Sequence, residues 1–192
     1  MLRIGLFGGS FDPVHLGHLL VARAACEELE LTRLFFIPAA QSPFKPGRAL
    51  APAPFRLRLL RLALAGGVHY AIDTQEIDRG GISYSVDTVR DYAARFPGAE
   101  LFFLIGADHV GQLPKWRDAA SLAELAEFVV IPRPGQAATP APPSFRLRLL
   151  RGFPLGISSS QIRDRVREGR PVDELIPPAV AEAIRDNQLY LS

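Results

Sequence analysis

The chain has 192 residues, 48% of them hydrophobic, and a formal net charge of +2 from 22 basic and 20 acidic side chains. That length and apolar content suit one domain, residues 1–192, with a sizeable core, and basic residues scattered without a run of five leave no electrostatic footprint for nucleic acid. One cysteine, Cys26, excludes an intrachain disulfide and a CxxC metal site; the apolar stretch in "MLRIGLFGG" is too short for a signal peptide and no segment approaches the ~18 apolar residues of a membrane span, so a soluble, cytoplasmic protein without a membrane partner is expected.

The first predicted element is a strand over Leu2–Phe7. It runs into Gly8 and Gly9, which let the backbone turn tightly and let a ligand approach the main chain, and into Ser10 with its hydroxyl. Pro13 suits a first helical turn, so the helix carrying Leu16–Leu29 is expected to begin near His15. Its open N–H groups and positive dipole end then lie beside the glycines, an anion site. His15 and His18 fall on one face of that turn. They do not make the usual helical zinc motif, which needs histidines at i and i+4 with a glutamate between, and His69 and His109 have no second ligand at a suggestive spacing. A histidine at a helix start also serves as a cap or a packed side chain.

Next come a strand at Leu34–Ile37, a helix at Phe55–Ala65, a strand at Tyr70–Ile77, a helix at Val86–Phe96, a strand at Leu101–Ile105, a helix at Leu122–Glu127 and a strand at Phe128–Ile131. Alternation of this kind predicts an α/β fold, Rossmann-like and doubly wound, with a mainly parallel sheet and helices on both faces. Ligands in such sheets sit beyond the carboxyl ends of the strands. Asp108 lies at one of those ends and suits a ligand contact or a helix cap, while Trp116, the only tryptophan, suits ring stacking or core.

Residues 133–144, "RPGQAATPAPPS", predict an exposed loop. The heptad "FRLRLLR" occurs at Phe55–Arg61 and again at Phe145–Arg151. The first copy continues in helical period; the second meets Gly152 and Pro154 and predicts a strand with Phe145, Leu147 and Leu149 on one face. In "GISSSQIRDRVREG", residues 156–169, Ser158, Ser159 and Ser160 can cap a helix while offering hydroxyls, with Arg163 one turn on. This is a second anion site, and two of them fit a polyphosphate held between two helix starts.

"GGSFDPVHLGH" resembles the first signature, GxFDPxHxGH, of the cytidylyltransferase-like nucleotidyltransferases, and "ISSSQIR" resembles their second, ISSTxIR. With "SPFKP", "ISYSVDTV", "LIGADHVGQLPKW" and "VVIPRPG" between them, nearly the whole chain is similar to the bacterial nicotinate-nucleotide adenylyltransferases. The resemblance implies transfer of AMP from ATP to nicotinate mononucleotide, giving the deamido dinucleotide and pyrophosphate in NAD biosynthesis. It implies an ATP site of Gly8, Gly9, Ser10, Phe11, His15, His18, Ile157, Ser158, Ser160 and Arg163, with His18 at the α-phosphate and Ser160 and Arg163 at the β- and γ-phosphates. Lys45 would neutralise phosphate charge, and Tyr84, Ser85, Asp108 and Trp116 would meet the mononucleotide, with the acid preferred over the amide. Asp12 is expected to brace the turn or to contact substrate directly. Magnesium is expected on the ATP phosphates with no dedicated protein ligand, and a homo-oligomer is compatible with the resemblance. Phe44 stands before Lys45 where the family commonly has histidine, and Ser160 and Ser85 stand where threonine is usual. A sibling adenylyltransferase would share both signatures and differ in the middle segments; a class I aminoacyl-tRNA synthetase fragment would need far more chain, and a non-catalytic nucleotide-binding module would need neither both histidines nor Arg163.

Overall fold

The computed structural model describes residues 1–43, 49–132, 135, 140–152 and 155–191. Six strands form one sheet: β1 (Arg3–Gly9), β2 (Arg33–Pro38), β3 (Tyr70–Ile72), β4 (Glu100–Gly106), β5 (Glu127–Ile131) and β6 (Leu147–Leu149). Their spatial order is β3-β2-β1-β4-β5-β6, and every pairing is parallel. Parallel neighbours need crossovers: α1 (Leu16–Glu28) lies between β1 and β2, α2 (Ala53–Leu64) between β2 and β3, α3 (Gln75–Arg79) and α4 (Ser85–Arg95) between β3 and β4, and a 3-10 helix (Ala107–Lys115) with α5 (Ala119–Leu125) between β4 and β5, while α6 (Ser159–Arg167) and α7 (Pro178–Asp186) follow the last strand. The doubly wound expectation holds, and the chain reverses its direction of travel across the sheet between β1 and β4.

Each strand splits its side chains between two cores, as a two-residue period requires. Phe7, Leu34, Phe36, Phe102, Leu104 and Val129 face one core, which also takes apolar residues of α1, α2, α6 and α7. Ile4, Leu6, Phe35, Ile37, Phe103 and Phe128 face the other, under α4, the 3-10 helix and α5. The central strands are buried on both faces, which is why their sequences read as continuous apolar runs.

Two sequence expectations change. The strand expected at Tyr70–Ile77 stops at Ile72, because the Asp73 carboxylate accepts the Gln75 N–H at 2.9 Å and turns the chain into α3. Its apolar count was raised by Ile77, which belongs to that helix. The second heptad does form a strand, but a short one at the sheet edge: Phe145 is buried and Leu149 is exposed, so the three-residue stripe is covered only at its start. Half of the loop expected at 133–144 lies outside the described residues. So do Phe44 and Lys45.

Candidate active site

The two signature stretches meet at the carboxyl end of β1. His15 is the N-cap of α1 and His18 its third residue, the spacing of a capping box. His15 Nδ1 accepts the His18 N–H at 3.3 Å, and His18 Nδ1 accepts the His15 N–H at 3.2 Å. The rings lie 3.6 Å apart, nearly parallel. Because each Nδ1 is an acceptor, each neutral ring carries its proton on Nε2 and presents a donor there. Burial holds His15 down to about 4, so it is neutral at pH 7. Gly17 follows from this geometry: a Cβ there would stand 3.0 Å from His15 Nδ1. The cap and the donor, alternatives on sequence grounds, are one arrangement.

Across from α1, Ser158 caps α6 in a second capping box with Gln161. Ser159 donates its hydroxyl to the Pro13 carbonyl at 2.8 Å, and Arg163 donates Nη1 to the Asp12 carbonyl at 2.5 Å and Nη2 to Ser160 Oγ at 3.1 Å. Residues some 150 positions apart thus clasp the same turn, and the positive ends of two helices lie side by side beyond β1. Ile157 packs between α6 and the core behind α1. Arg163, whose Nη1 also lies 3.9 Å from Asp12 Oδ2, thus ties α6 to the turn before α1, and with five guanidinium N–H groups it does so without spending them all on these contacts.

At the apex of that turn Phe11 has φ of +45°, left-handed for a bulky residue. Such a residue costs on the order of 1–3 kcal/mol and persists where its surroundings over-determine it. Its ring is 1% exposed, between Phe7, Phe36 and His18, so only its backbone is placed for a ligand. Asp12, also buried, accepts the Tyr190 hydroxyl at 2.7 Å and the Ala51 N–H at 3.3 Å. Asp12 therefore braces the turn, as the sequence suggested.

Beside these helix starts opens a cleft of about 180 Å³ at the switch between β1 and β4. Gly8, Gly9 and Ser10 line one side and Gly106, His109 and Trp116 the other, with Ser85 and Glu76 on its wall. Ser85 is the first residue of α4, and its N-cap, Tyr84, makes no side-chain cap hydrogen bond. The Tyr84 ring lies instead under the Arg117 guanidinium at 4.6 Å. Trp116 lines the cleft while packing edge-on against Phe103 and Phe128. Asp108 is no cap; it lies inside the 3-10 helix, its Oδ2 3.9 Å from His109 Nε2.

Three residues went unselected in the sequence. Arg56 is 2% exposed and grips the Ser10 carbonyl at 2.8 Å and the Ala51 carbonyl at 3.0 Å. Burial pushes its guanidinium below the ordinary arginine range, with Asp12 pulling the other way. Its signal was available: it shares a helical face with Leu59 and Leu60, where a charge needs a reason. Glu76, pushed above the usual carboxyl range by burial, accepts the Thr88 hydroxyl at 2.6 Å and so pins α4 against the cleft. Tyr190 had no local signal. Among the described residues, no three His, Cys, Asp or Glu side chains gather as a metal site, and the groups brought together here are donors, which suit phosphate oxygens.

Comparison with known proteins adds an independent line. The chain matches the cytidylyltransferase-like family over residues 6–165. It is 39% identical over 191 residues to a probable nicotinate-nucleotide adenylyltransferase of Opitutus terrae, covering 98% of each chain. To the protein of the same description from Thermus thermophilus it is 43% identical over 193 residues, covering 98% of this chain and all of that one. Among solved structures, nicotinic acid mononucleotide adenylyltransferase of Plasmodium falciparum, complexed with APC, superposes with a TM-score of 0.80 over 99% of this chain and 98% of that one, at 16% identity. At that identity the likeness speaks for the fold.

Proposed function

We propose the reaction of this chain from one premise: it belongs to the cytidylyltransferase-like family, among the nicotinate-nucleotide adenylyltransferases. It transfers AMP from ATP to nicotinate mononucleotide, forming nicotinate adenine dinucleotide and releasing pyrophosphate, a step of NAD biosynthesis. The observation that carries this reading is the meeting of the two signature segments through Ser159 and Arg163 on the Pro13 and Asp12 carbonyls, which sets two helix starts beside one cleft.

A phosphate oxygen of the mononucleotide attacks the α-phosphorus of ATP; a new P–O bond forms as the bond to the pyrophosphate oxygen breaks. The attacking oxygen is already ionised, so no proton has to be removed and no base is needed. The work of the site is alignment and stabilisation of charge on the transferring and leaving oxygens. A neutral His15 with Nδ1 occupied fits a donor and not a base. His18 is assigned to the α-phosphate, with Gly8, Gly9, Ser10 and the Phe11 backbone along the nucleotide, and Ile157, Ser158, Ser160 and Arg163 toward the β- and γ-phosphates. Lys45, outside the described residues, is assigned to phosphate charge. Tyr84, Ser85, Asp108 and Trp116 surround the pyridine nucleotide. Magnesium would be held by the phosphates of ATP and water, with no dedicated ligand from the chain, and would supply neutralisation of charge there.

We place the enzyme in the cytoplasm, working as one nucleotidyltransferase domain over residues 1–192. Among the described residues no helix is long and apolar enough to cross a membrane, and the lone Cys26 suits a reducing compartment. The test is pyrophosphate release from ATP with nicotinate mononucleotide, nicotinamide mononucleotide and phosphopantetheine in parallel. Release with the first above the others supports the reading; release only with another acceptor overturns it in favour of a sibling enzyme.

A further inference from the structure

Behind the phosphate turn lies a closed set of hydrogen bonds that the reaction itself does not call for. Arg56 holds the carbonyls of Ser10 and Ala51. The Ala51 N–H and the Tyr190 hydroxyl both reach Asp12 Oδ1, at 3.3 and 2.7 Å. Arg163 completes the set on the Asp12 carbonyl. The residues on either side of left-handed Phe11 are therefore fixed from three directions, by α2, by α6 and by the segment after α7. Apolar side chains would fill that space at less desolvation cost than a buried arginine, carboxylate and phenol; what they would lack is a directional grip on the turn's carbonyls. The Tyr190 phenol is pushed above its ordinary range, first by burial and then by Asp12, so it stays a donor.

We propose that Tyr190 is a positioning residue of adenylyl transfer: acting through the Asp12 carboxylate, it holds the turn Ser10–Asp12, and with it His15 and His18, in the geometry that fits the transition state. This rests on the reaction proposed above. The Tyr190 hydroxyl is spent on Asp12 Oδ1; its effect passes through that hydrogen bond to a turn whose small displacement moves two donors together, and a displacement of that kind is costly to the rate.

The test is Tyr190→Phe, which keeps the ring in the core and removes only the hydroxyl. We expect kcat to fall roughly tenfold while KM for both substrates stays within about twofold, the pattern of a contact expressed in the transition state. Asp12→Ala combined with Tyr190→Phe should be no slower than Asp12→Ala alone, because the two share one path. Arg56→Lys should show the same kcat-against-KM split from the other side of the turn. A lowered melting temperature with wild-type kcat in the folded variant would reduce Tyr190 to a structural residue and overturn the proposal, as would multiplying effects of the Asp12 and Tyr190 changes. Imidazole resonances of His15 and His18, recorded without substrate, must also move in Tyr190→Phe. If the wild-type enzyme made no dinucleotide, the proposed reaction would fall, while unchanged histidine spectra would independently rule out the role of Tyr190.

Discussion

The phosphate end and the pyridine end of the site are built on opposite principles. At the end assigned to phosphate both helices, α1 and α6, are closed by reciprocal side-chain caps, and side chains of the second signature hold the backbone of the first. At the pyridine end α4 starts without a side-chain cap, beside a cleft walled by a tryptophan and glycines. Polyphosphate offers many equivalent oxygens, so a rigid array of fixed donors serves it. A pyridine carboxylate offers one small anion, and an uncapped helix start leaves backbone N–H groups to meet it. On the reaction proposed above, the first end is expected to set the rate and the second the choice of substrate.

The largest effect should come from striking the rigid end. His18→Ala removes a donor aimed at developing charge and is expected to lower kcat by ~10²–10³ with KM for ATP little changed. It also removes half of a capping box, so stability should fall by about 1 kcal/mol. His18→Gln separates the two losses: glutamine suits that cap position, so denaturant melts should recover more than turnover does. Turnover near wild type in His18→Ala would break the contrast between the two ends.

Arg163→Ala comes next. Loss of charge-assisted hydrogen bonds is worth about 1.5–3 kcal/mol, roughly 10–100-fold in ATP affinity, and nicotinate mononucleotide should be affected less. Lysine should rescue in part, since it cannot reproduce the fork that reaches Asp12 and Ser160. Calorimetric titration with each substrate measures this; equal losses for both would make Arg163 a general brace of the fold.

The pH dependence of stability sharpens the same end. Unfolded, His15 takes up a proton at its ordinary 6.5; folded, it resists until about 4. The unfolded state therefore binds more protons between those values, and stability is lost as pH falls from about 7 toward 4. From pH 7 to pH 5 the loss attributable to His15 should be about 2 kcal/mol. Urea melts of wild type and His15→Asn, which keeps a capping side chain without the titration, should converge on lowering the pH. Parallel curves would show that burial does not hold this histidine neutral.

The smallest effect belongs to the pyridine end. The open N–H groups at the start of α4 and the Ser85 hydroxyl suit a carboxylate, whereas an amide would turn its own N–H₂ toward a donor and leave both unpaired, at ~1–3 kcal/mol. Comparing kcat/KM for nicotinate and nicotinamide mononucleotides at saturating ATP should show at least a tenfold preference for the acid. Ser85→Ala should shrink that ratio and leave kcat with the acid largely intact. A ratio near one would erase the division of labour between the two ends.

The sequence exposed the rigid end because its parts are local: glycines after a strand, histidines at capping spacing, serines before a helix. It exposed the sheet because strands buried on both faces have no polar alternation to confuse. What it hid depends on contacts across long separations. Tyr190 meets Asp12 across 178 residues, and nothing around either predicts the other. Glu76 sat inside a segment expected to be strand, where the carboxylate of Asp73 starts a helix instead. Arg56 was visible as a charge on an apolar helical face, yet its purpose lay in a carbonyl 46 positions away.

The shared direction of all six strands divides the molecule's surface into two trades. Loops leaving the strands carry the signatures, the cleft and the helix starts; loops entering them carry none of these. The turn before β3, with Val68 81% exposed, and the turn before β4, where Gly98 takes a φ of +80°, lie on the entering side. The length of β4, seven residues at about 3.3 Å each, sets roughly 20 Å between Gly98 and the cleft. These two turns are natural ports for engineering: a surface tether, an affinity handle or an inserted reporter domain grafted there leaves the nucleotide side of the enzyme facing open solvent.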